Sequence, residues 1–132
     1  MTLTDVLPAP TSRIRSVNTL FIINDPPYGS ERSYNGLRLA AAIAKREDEA
    51  VRIFLMADAV GCAVAGQVLP DGYYHLDRLL SSAIRRGAEV GLCGTCMDAR
   101  AVAEEKLVEG ARRSSLEELT DWTLWADKVV SF

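Results

Sequence analysis

Val17-Asn18-Thr19-Leu20-Phe21-Ile22-Ile23 is an apolar, β-branched run, and Asn24-Asp25-Pro26-Pro27 follows it directly. Proline cannot donate to a strand ladder, so the two prolines must end the strand. A continuous apolar run fits a strand that is covered on both of its faces, as strands are in parallel sheets. The stretch therefore predicts one buried strand of a parallel sheet.

Strand and helix signals alternate from this run to the last residue. Four further strands are predicted at residues 50–56, 88–92, 111–114 and 127–132, the stretch 111–114 being the most polar. Helices are predicted at 33–45, from Leu76 to a stop at Gly87, from near Cys96, and after a Ser115 cap, with a short alanine-rich helix at 59–65. Five strands joined by helical crossovers predict an α/β fold with a mainly parallel sheet and helices on both faces.

Length and composition fit one folded domain. The chain has 132 residues, of which 48% are hydrophobic and 25% are charged. Residues 1–16 contain Asp5, Pro8 and Pro10 and predict a flexible leader, which puts the domain at 17–132. The sequence has no run of eighteen apolar residues and no apolar stretch typical of a signal peptide, so we expect a cytoplasmic protein without a membrane partner.

The charge pattern argues against nucleic-acid binding. The net charge is −3 and the pI is about 5.2, whereas nucleic-acid binders usually carry a basic stripe. The basic pairs at 85–86 and 112–113 are short and have acidic neighbours, which is typical of a solvated surface. We expect no direct nucleic-acid partner.

The clearest chemical feature is the turn Cys93-Gly94-Thr95-Cys96, which follows the third predicted strand. Thr95 with Asp98 three residues later has capping-box character, which predicts Thr95 as the N-cap and Cys96 in the first turn. Free N–H groups and the positive end of a helix stabilise a thiolate, and the thiolate is the nucleophilic form. The turn therefore predicts Cys93 and Cys96 as catalytic thiols.

Several polar segments should meet the cysteine turn. In an open parallel sheet, ligands bind at the carboxyl ends of the strands, where the segments 24–33, 58–67 and 93–100 all begin. Asp58 also fits a helix cap, and Gly94 allows a close backbone approach. Candidate substrate-contacting residues at this edge are Asn24, Tyr28, Asp58, Gly94, Thr95 and Arg100.

Other interpretations of the same residues remain open. Both cysteines of the turn fit inert core positions at a helix start. Cys62, His75, Cys93 and Cys96 match the four ligands of a zinc site in number, although their spacing is unusual. A thioredoxin-type pair normally follows an earlier strand, and the loop 27–30 lacks the patterns of a nucleotide-binding loop.

Four segments together resemble the DsrE/DsrF-like family of sulfur-relay proteins, and particularly its small YchN-like members. These segments are residues 24–29, 58–60, 72–74 and 93–100, of which the cysteine segment is the most specific. The resemblance covers residues 17–132. It implies a flavodoxin-like three-layer α/β sandwich that assembles as a homotrimer or homohexamer. It also implies passage of persulfide sulfur between donor and acceptor proteins.

The resemblance also assigns roles within the turn. The sulfur-carrying cysteine of the family corresponds to Cys93, seven residues before Arg100. Cys96 is then an extra thiol, which either carries sulfur as Cys93 does or releases it by attacking a persulfide on Cys93. Many relatives have Arg-Gly where this chain has Arg100-Ala101. We expect a persulfide carrier of the sulfurtransferase type without a cofactor; the alternatives are a non-catalytic oligomeric binding or assembly module and a metal-binding protein.

Overall fold

The computed structural model describes residues 16–132, which form one five-stranded sheet flanked by helices. The strands are β1 (Val17–Ile23), β2 (Glu49–Leu55), β3 (Glu89–Cys93), β4 (Ala111–Ser114) and β5 (Lys128–Ser131). They lie in the order β4-β3-β2-β1-β5, and every neighbouring pair is parallel. The predicted α/β class is confirmed, with a sheet that is wholly parallel. Residues 1–15 of the predicted leader lie outside the described residues.

Four α-helices join the strands. They are α1 (Arg32–Ala44), α2 (Leu76–Arg85), α3 (Gly94–Ala99) and α4 (Leu116–Trp125), and two short 3₁₀ helices lie at Ala57–Ala63 and Glu104–Lys106. The short helix predicted at 59–65 is present two residues earlier, at 57–63, and it is a 3₁₀ helix, since Gly61 and β-branched Val60 favour a short connector over a regular α-helix. Between residues 16 and 132, no helix is long and apolar enough to cross a membrane.

The alternation of side chains along the strands divides the core into two clusters, one on each face of the sheet. Phe21 and Ile53 belong to the larger cluster, which α1 and α2 cover. Leu20 and Phe54 point to the other face, where Trp122 of α4 packs on them. Helices therefore cover both faces, which gives the three layers expected from the sequence.

The chain changes faces between β3 and β4, two neighbouring strands. After β3 it enters α3, whose Met97 is buried in the larger cluster. After β4 it enters α4, whose Leu119 is buried in the smaller cluster. Connections that leave adjacent strands toward opposite faces open a crevice between their carboxyl ends. This crevice begins at Cys93 and Ser114, which are paired at the ends of their strands.

Candidate functional site

Cys93 is both the last residue of β3 and the N-cap of α3. Its Sγ accepts a hydrogen bond from the backbone N–H of Cys96, with an N-to-Sγ distance of 3.4 Å. The Thr95 hydroxyl lies 3.3 Å from the same sulfur. The predicted N-cap at Thr95 is wrong, because the helix begins at Gly94 and the sulfur of Cys93 is the capping acceptor. The prediction that Cys96 lies in the first turn of the helix is confirmed, and Cys93 lies at the helix start as well.

The two thiols of the turn differ in acidity. Burial raises the pKa of Cys93, but hydrogen bonds from the thiol of Cys96, the hydroxyl of Thr95 and nearby backbone N–H groups bring that pKa below its usual value. Burial and the hydrogen bond to Cys93 raise the pKa of Cys96. Cys93 is therefore the more acidic thiol of the pair, and Cys96 is the one that keeps its proton to higher pH.

Cys96 ties α3 to the first 3₁₀ helix. The backbone N–H of Ala57 donates to Cys96 Sγ at 3.2 Å, and Ala57 has a φ of 50°. Arg100 donates to the carbonyl oxygen of Cys96 at 3.1 Å and to Asp58 Oδ1 at 2.8 Å. The structure thus brings two predicted site residues, Asp58 and Arg100, together beside the cysteine turn.

A groove of about 520 Å³ occupies the crevice between β3 and β4. Apolar side chains of β2 and α4 form one part of its wall, and the cysteine turn and the end of β4 form the rest. The lining residues are Phe54, Met56, Cys93, Gly94, Thr95, Arg113, Ser114, Ser115, Leu116 and Leu119. A volume of this size accommodates a small molecule or a few residues of a partner chain. The more acidic thiol of the pair therefore lies in the wall of a groove that reactants can enter.

Arg113 is a residue of this site that the sequence did not indicate. Its Nη1 and Nη2 donate to the two carboxylate oxygens of Asp98 at 2.8 and 2.9 Å. The pairing explains Asp98, which the sequence predicts as part of a capping box. The signal that locates Arg113 is the register of β4 on β3, in which Arg113 pairs with Leu92 and Ser114 with Cys93. This register is a tertiary property and cannot be read from local sequence.

Asn24 and Tyr28 make their contacts elsewhere. Asn24 follows β1, two strands from β3, and its side-chain amide donates to the carbonyl oxygen of Phe132 at 3.0 Å. The Tyr28 hydroxyl donates to the Gln67 side chain and accepts from the backbone N–H of Leu76 at 3.2 Å. Their hydrogen bonds connect β1 with β5 and with the start of α2. Neither residue contacts the cysteine turn through these bonds.

Cys62 and His75 are not gathered with the cysteine turn. Cys62 is fully buried in the larger core cluster, where burial raises the pKa of its thiol to about 12. His75 occupies the N-cap position of α2 without a capping hydrogen bond. Within residues 16–132, no three His, Cys, Asp or Glu side chains are arranged to hold a metal ion. The four zinc candidates therefore do not form one site in this structure.

Comparisons with known proteins place the chain in one family. The model of the DsrE/DsrF-like family matches residues 18–132. Protein YchN of Escherichia coli strain K12 is 40% identical over 114 residues, which are 86% of this chain and 97% of YchN. An uncharacterized protein of Methanopyrus kandleri is 40% identical over 111 residues, which are 84% of this chain and 90% of the relative.

Solved structures give the same result. The crystal structure of YchN from E. coli matches with a TM-score of 0.83 and 38% identity, covering 88% of this chain and 99% of YchN. A protein of unknown function from Methanobacterium thermoautotrophicum shares the fold, with a TM-score of 0.67 and 14% identity over 89% of this chain and all of that one. Because the family model covers nearly the whole described chain and a relative is 40% identical over most of its length, this chain belongs to the DsrE/DsrF-like family.

Proposed function

We propose that the protein is a sulfur-relay carrier that holds sulfane sulfur as a persulfide on Cys93. The observation that carries the proposal is the environment of the Cys93 sulfur, which lines the groove and accepts hydrogen bonds that lower its pKa. A thiol with a lowered pKa has a larger thiolate fraction at neutral pH, and the thiolate is the form that attacks electrophilic sulfur. Family membership supports the same class of chemistry.

Loading is a thiol exchange. The thiolate of Cys93 attacks the outer sulfur of a donor persulfide, so that a new S–S bond forms on Cys93 and the S–S bond of the donor breaks. The donor leaves as a thiolate and takes up a proton. Atoms and electrons balance between the two partners, and the step needs no cofactor or metal.

Unloading follows one of two balanced routes. An acceptor thiolate attacks the outer sulfur and leaves Cys93 as a thiolate, which returns the protein to its starting state. Alternatively, Cys96 attacks the inner sulfur, which forms a Cys93–Cys96 disulfide and releases hydrosulfide; an external thiol must then reduce the disulfide. The position of Cys96 supports the second route, because its backbone N–H donates to Cys93 Sγ at 3.4 Å.

Protein partners and self-assembly are part of the proposal. We propose donor and acceptor proteins that dock at the groove, in the reducing cytoplasm, and a homotrimer or homohexamer of this chain. Two strongly exposed apolar side chains of one helix, Leu116 and Leu124 of α4 at 73% and 81%, are those that a contact between copies would bury. Light scattering measures the assembly directly, and a monomer at all concentrations would contradict this part.

The test of the carrier role is intact-protein mass spectrometry after incubation with an inorganic polysulfide. We expect the reduced protein to gain the mass of one or more sulfur atoms, and we expect Cys93→Ser to abolish the gain. The matched control is Cys62→Ala, which changes a buried cysteine outside the groove and should leave the gain intact. Equal loading of wild type and Cys93→Ser, or no loading of either, would overturn the proposal.

A binding or assembly module without thiol chemistry is the second candidate. It predicts that Cys93 titrates at the ordinary thiol pKa of about 8.5. The alkylation rate of Cys93 as a function of pH therefore separates the two functions, since the carrier requires a lower midpoint.

A further inference from the structure

Arg113 is held rigidly at the edge of the groove. It lies on β4 next to Ser114, the residue paired with Cys93 across the sheet. Two of its N–H groups donate to Asp98, so the plane of the guanidinium is fixed by a two-point contact. The backbone N–H of Arg113 also donates to Glu104 at 3.0 Å. Hydrogen bonds thus restrain both the guanidinium and the backbone of Arg113, although 44% of the side chain remains exposed.

The guanidinium lies directly against the backbone of Gly94. A Cβ atom at Gly94 would lie 2.9 Å from both Cζ and Nε of Arg113, closer than such atoms approach. Gly94 does not have a positive φ, so its backbone conformation does not require glycine. Glycine at the position that follows Cys93 therefore lets the guanidinium lie against the backbone of the turn.

We propose that Arg113, seated on Gly94, is a positioning residue whose charge stabilises the anionic sulfur on Cys93. The inference rests on the proposed persulfide role of Cys93 and extends it to a residue with no reacting atom. The same guanidinium stabilises the thiolate before Cys93 takes up sulfur and the persulfide anion afterwards, because both anions lie at the groove. Asp98 uses two of the five guanidinium N–H groups, so donors remain for a neighbouring anion.

The other charged groups around the turn do not supply this charge. Arg112 is paired with the Glu118 carboxylate of α4 in a two-point contact, and it is not among the residues that line the groove. Arg100 is paired with Asp58 on the far side of Cys96. The carboxylates of Asp98 and Glu104 accept hydrogen bonds from the guanidinium and the backbone N–H of Arg113, respectively. Arg113 is the cation that lines the groove together with Cys93, and the pKa of Arg113 is raised by Asp98 first and by Cys93 to a smaller extent.

The experiment is the pH profile of Cys93 alkylation by iodoacetamide, read on the tryptic peptide of residues 87–100 with fragment ions that separate Cys93 from Cys96. We expect Arg113→Gln to raise the midpoint by about 0.5 pH units, which means about threefold less thiolate at neutral pH. We expect Gly94→Ala to raise it as well, since the added methyl group displaces the guanidinium while the arginine remains.

Arg112→Gln is the matched control, because it removes a neighbouring arginine that is paired with Glu118 and does not line the groove. It should leave the midpoint within about 0.1 pH units, and melting temperatures identify any variant that is poorly folded. An unchanged profile in folded Arg113→Gln would overturn the inference, as would an equal shift in Arg112→Gln. Failure of the wild type to take up sulfur would instead overturn the carrier role, because the alkylation profile does not depend on it.

Discussion

At the scale of single residues, the site depends on an asymmetry between two similar thiols. The Cys93 sulfur accepts hydrogen bonds from Thr95 and from the backbone N–H of Cys96, whereas Cys96 donates to it. The pKa of Cys93 is lowered and that of Cys96 is raised. The network around the pair therefore distinguishes the proposed attacking thiol from the proposed resolving thiol.

Thr95→Val tests this network with almost no change in side-chain shape. Loss of the hydroxyl removes a donor to the thiolate, so we expect the pKa of Cys93 to rise by about 0.5–1 pH units. The measurement is the alkylation rate of Cys93 against pH. Thr120→Val is the control, since its hydroxyl donates to a carbonyl within α4. A midpoint that is the same in both variants contradicts the role given to Thr95.

The pKa of the Cys62 thiol is shifted in the opposite direction from that of Cys93. Burial raises its pKa to about 12, so this thiol favours folding below the ordinary thiol pKa, and the contribution disappears as pH rises through 12. At pH 8 we expect iodoacetamide to modify the turn cysteines in the native protein and to modify Cys62 only after urea unfolding. Peptide mass spectrometry gives the occupancy. Rapid modification of Cys62 in the native state would be inconsistent with its burial.

At the scale of elements, α1 lies unusually close to the sheet at Gly36. A Cβ atom there would lie 2.7 Å from Ile23 Cδ1 and 2.9 Å from Cγ of Phe132. Helix propensity alone predicts that alanine stabilises this position by about 1 kcal/mol. We expect Gly36→Ala to destabilise the protein by about 1–3 kcal/mol instead, because the methyl group overpacks the core. Urea unfolding decides the sign, and Asn35→Ala on the exposed side of α1 is the control.

Most elements could be predicted because their signals are local. The apolar runs at β1 and β2 and the cap at Ser115, which accepts from the backbone N–H of Glu118, lie within one residue of their predicted positions. The 3₁₀ helix at Ala57–Ala63 could not be distinguished from an α-helix, because its alanines suit both. The start of α3 was misplaced, since a cysteine sulfur is not among the usual capping acceptors.

The candidate site was only partly predictable for a different reason. Cys93 and Cys96 are marked by their spacing, and Asp58 and Arg100 by their position after strands. Arg113 becomes part of the site only through the pairing of β4 with β3, which joins residues about twenty positions apart. Register between neighbouring strands is set by packing of the whole sheet. Local patterns therefore predict the thiols and miss the cation beside them.

At the scale of the whole molecule, α4 is the helix that packs on the second face of the sheet. Trp122 is 4% exposed, and its ring contacts that of Phe54 edge to face with centroids 6.1 Å apart. The guanidinium of Arg52 lies 5.3 Å from the same ring. If this large side chain is removed, the few other side chains of the small cluster cannot fill the space that it leaves.

Trp122→Ala should therefore destabilise the protein strongly. We expect a loss of about 3–5 kcal/mol in the free energy of unfolding, since the change opens a cavity between α4 and the sheet. Chemical denaturation followed by circular dichroism measures it. Leu124→Ala, on the same helix with an 81% exposed side chain, should change stability by less than about 0.5 kcal/mol. Similar losses in both variants would contradict the packing of α4 on this face.

Because the Cys93 sulfur caps α3, the NMR signal of a backbone amide can report on the sulfur that Cys93 is proposed to carry. The amide proton of Cys96 donates to that sulfur, so its NMR chemical shift responds to the charge on the atom it points at. Ionisation strengthens such a bond, and attachment of a second sulfur atom moves charge outward and weakens it. A single amide resonance thus distinguishes thiol, thiolate and persulfide in the intact protein, without a reagent that competes for the sulfur.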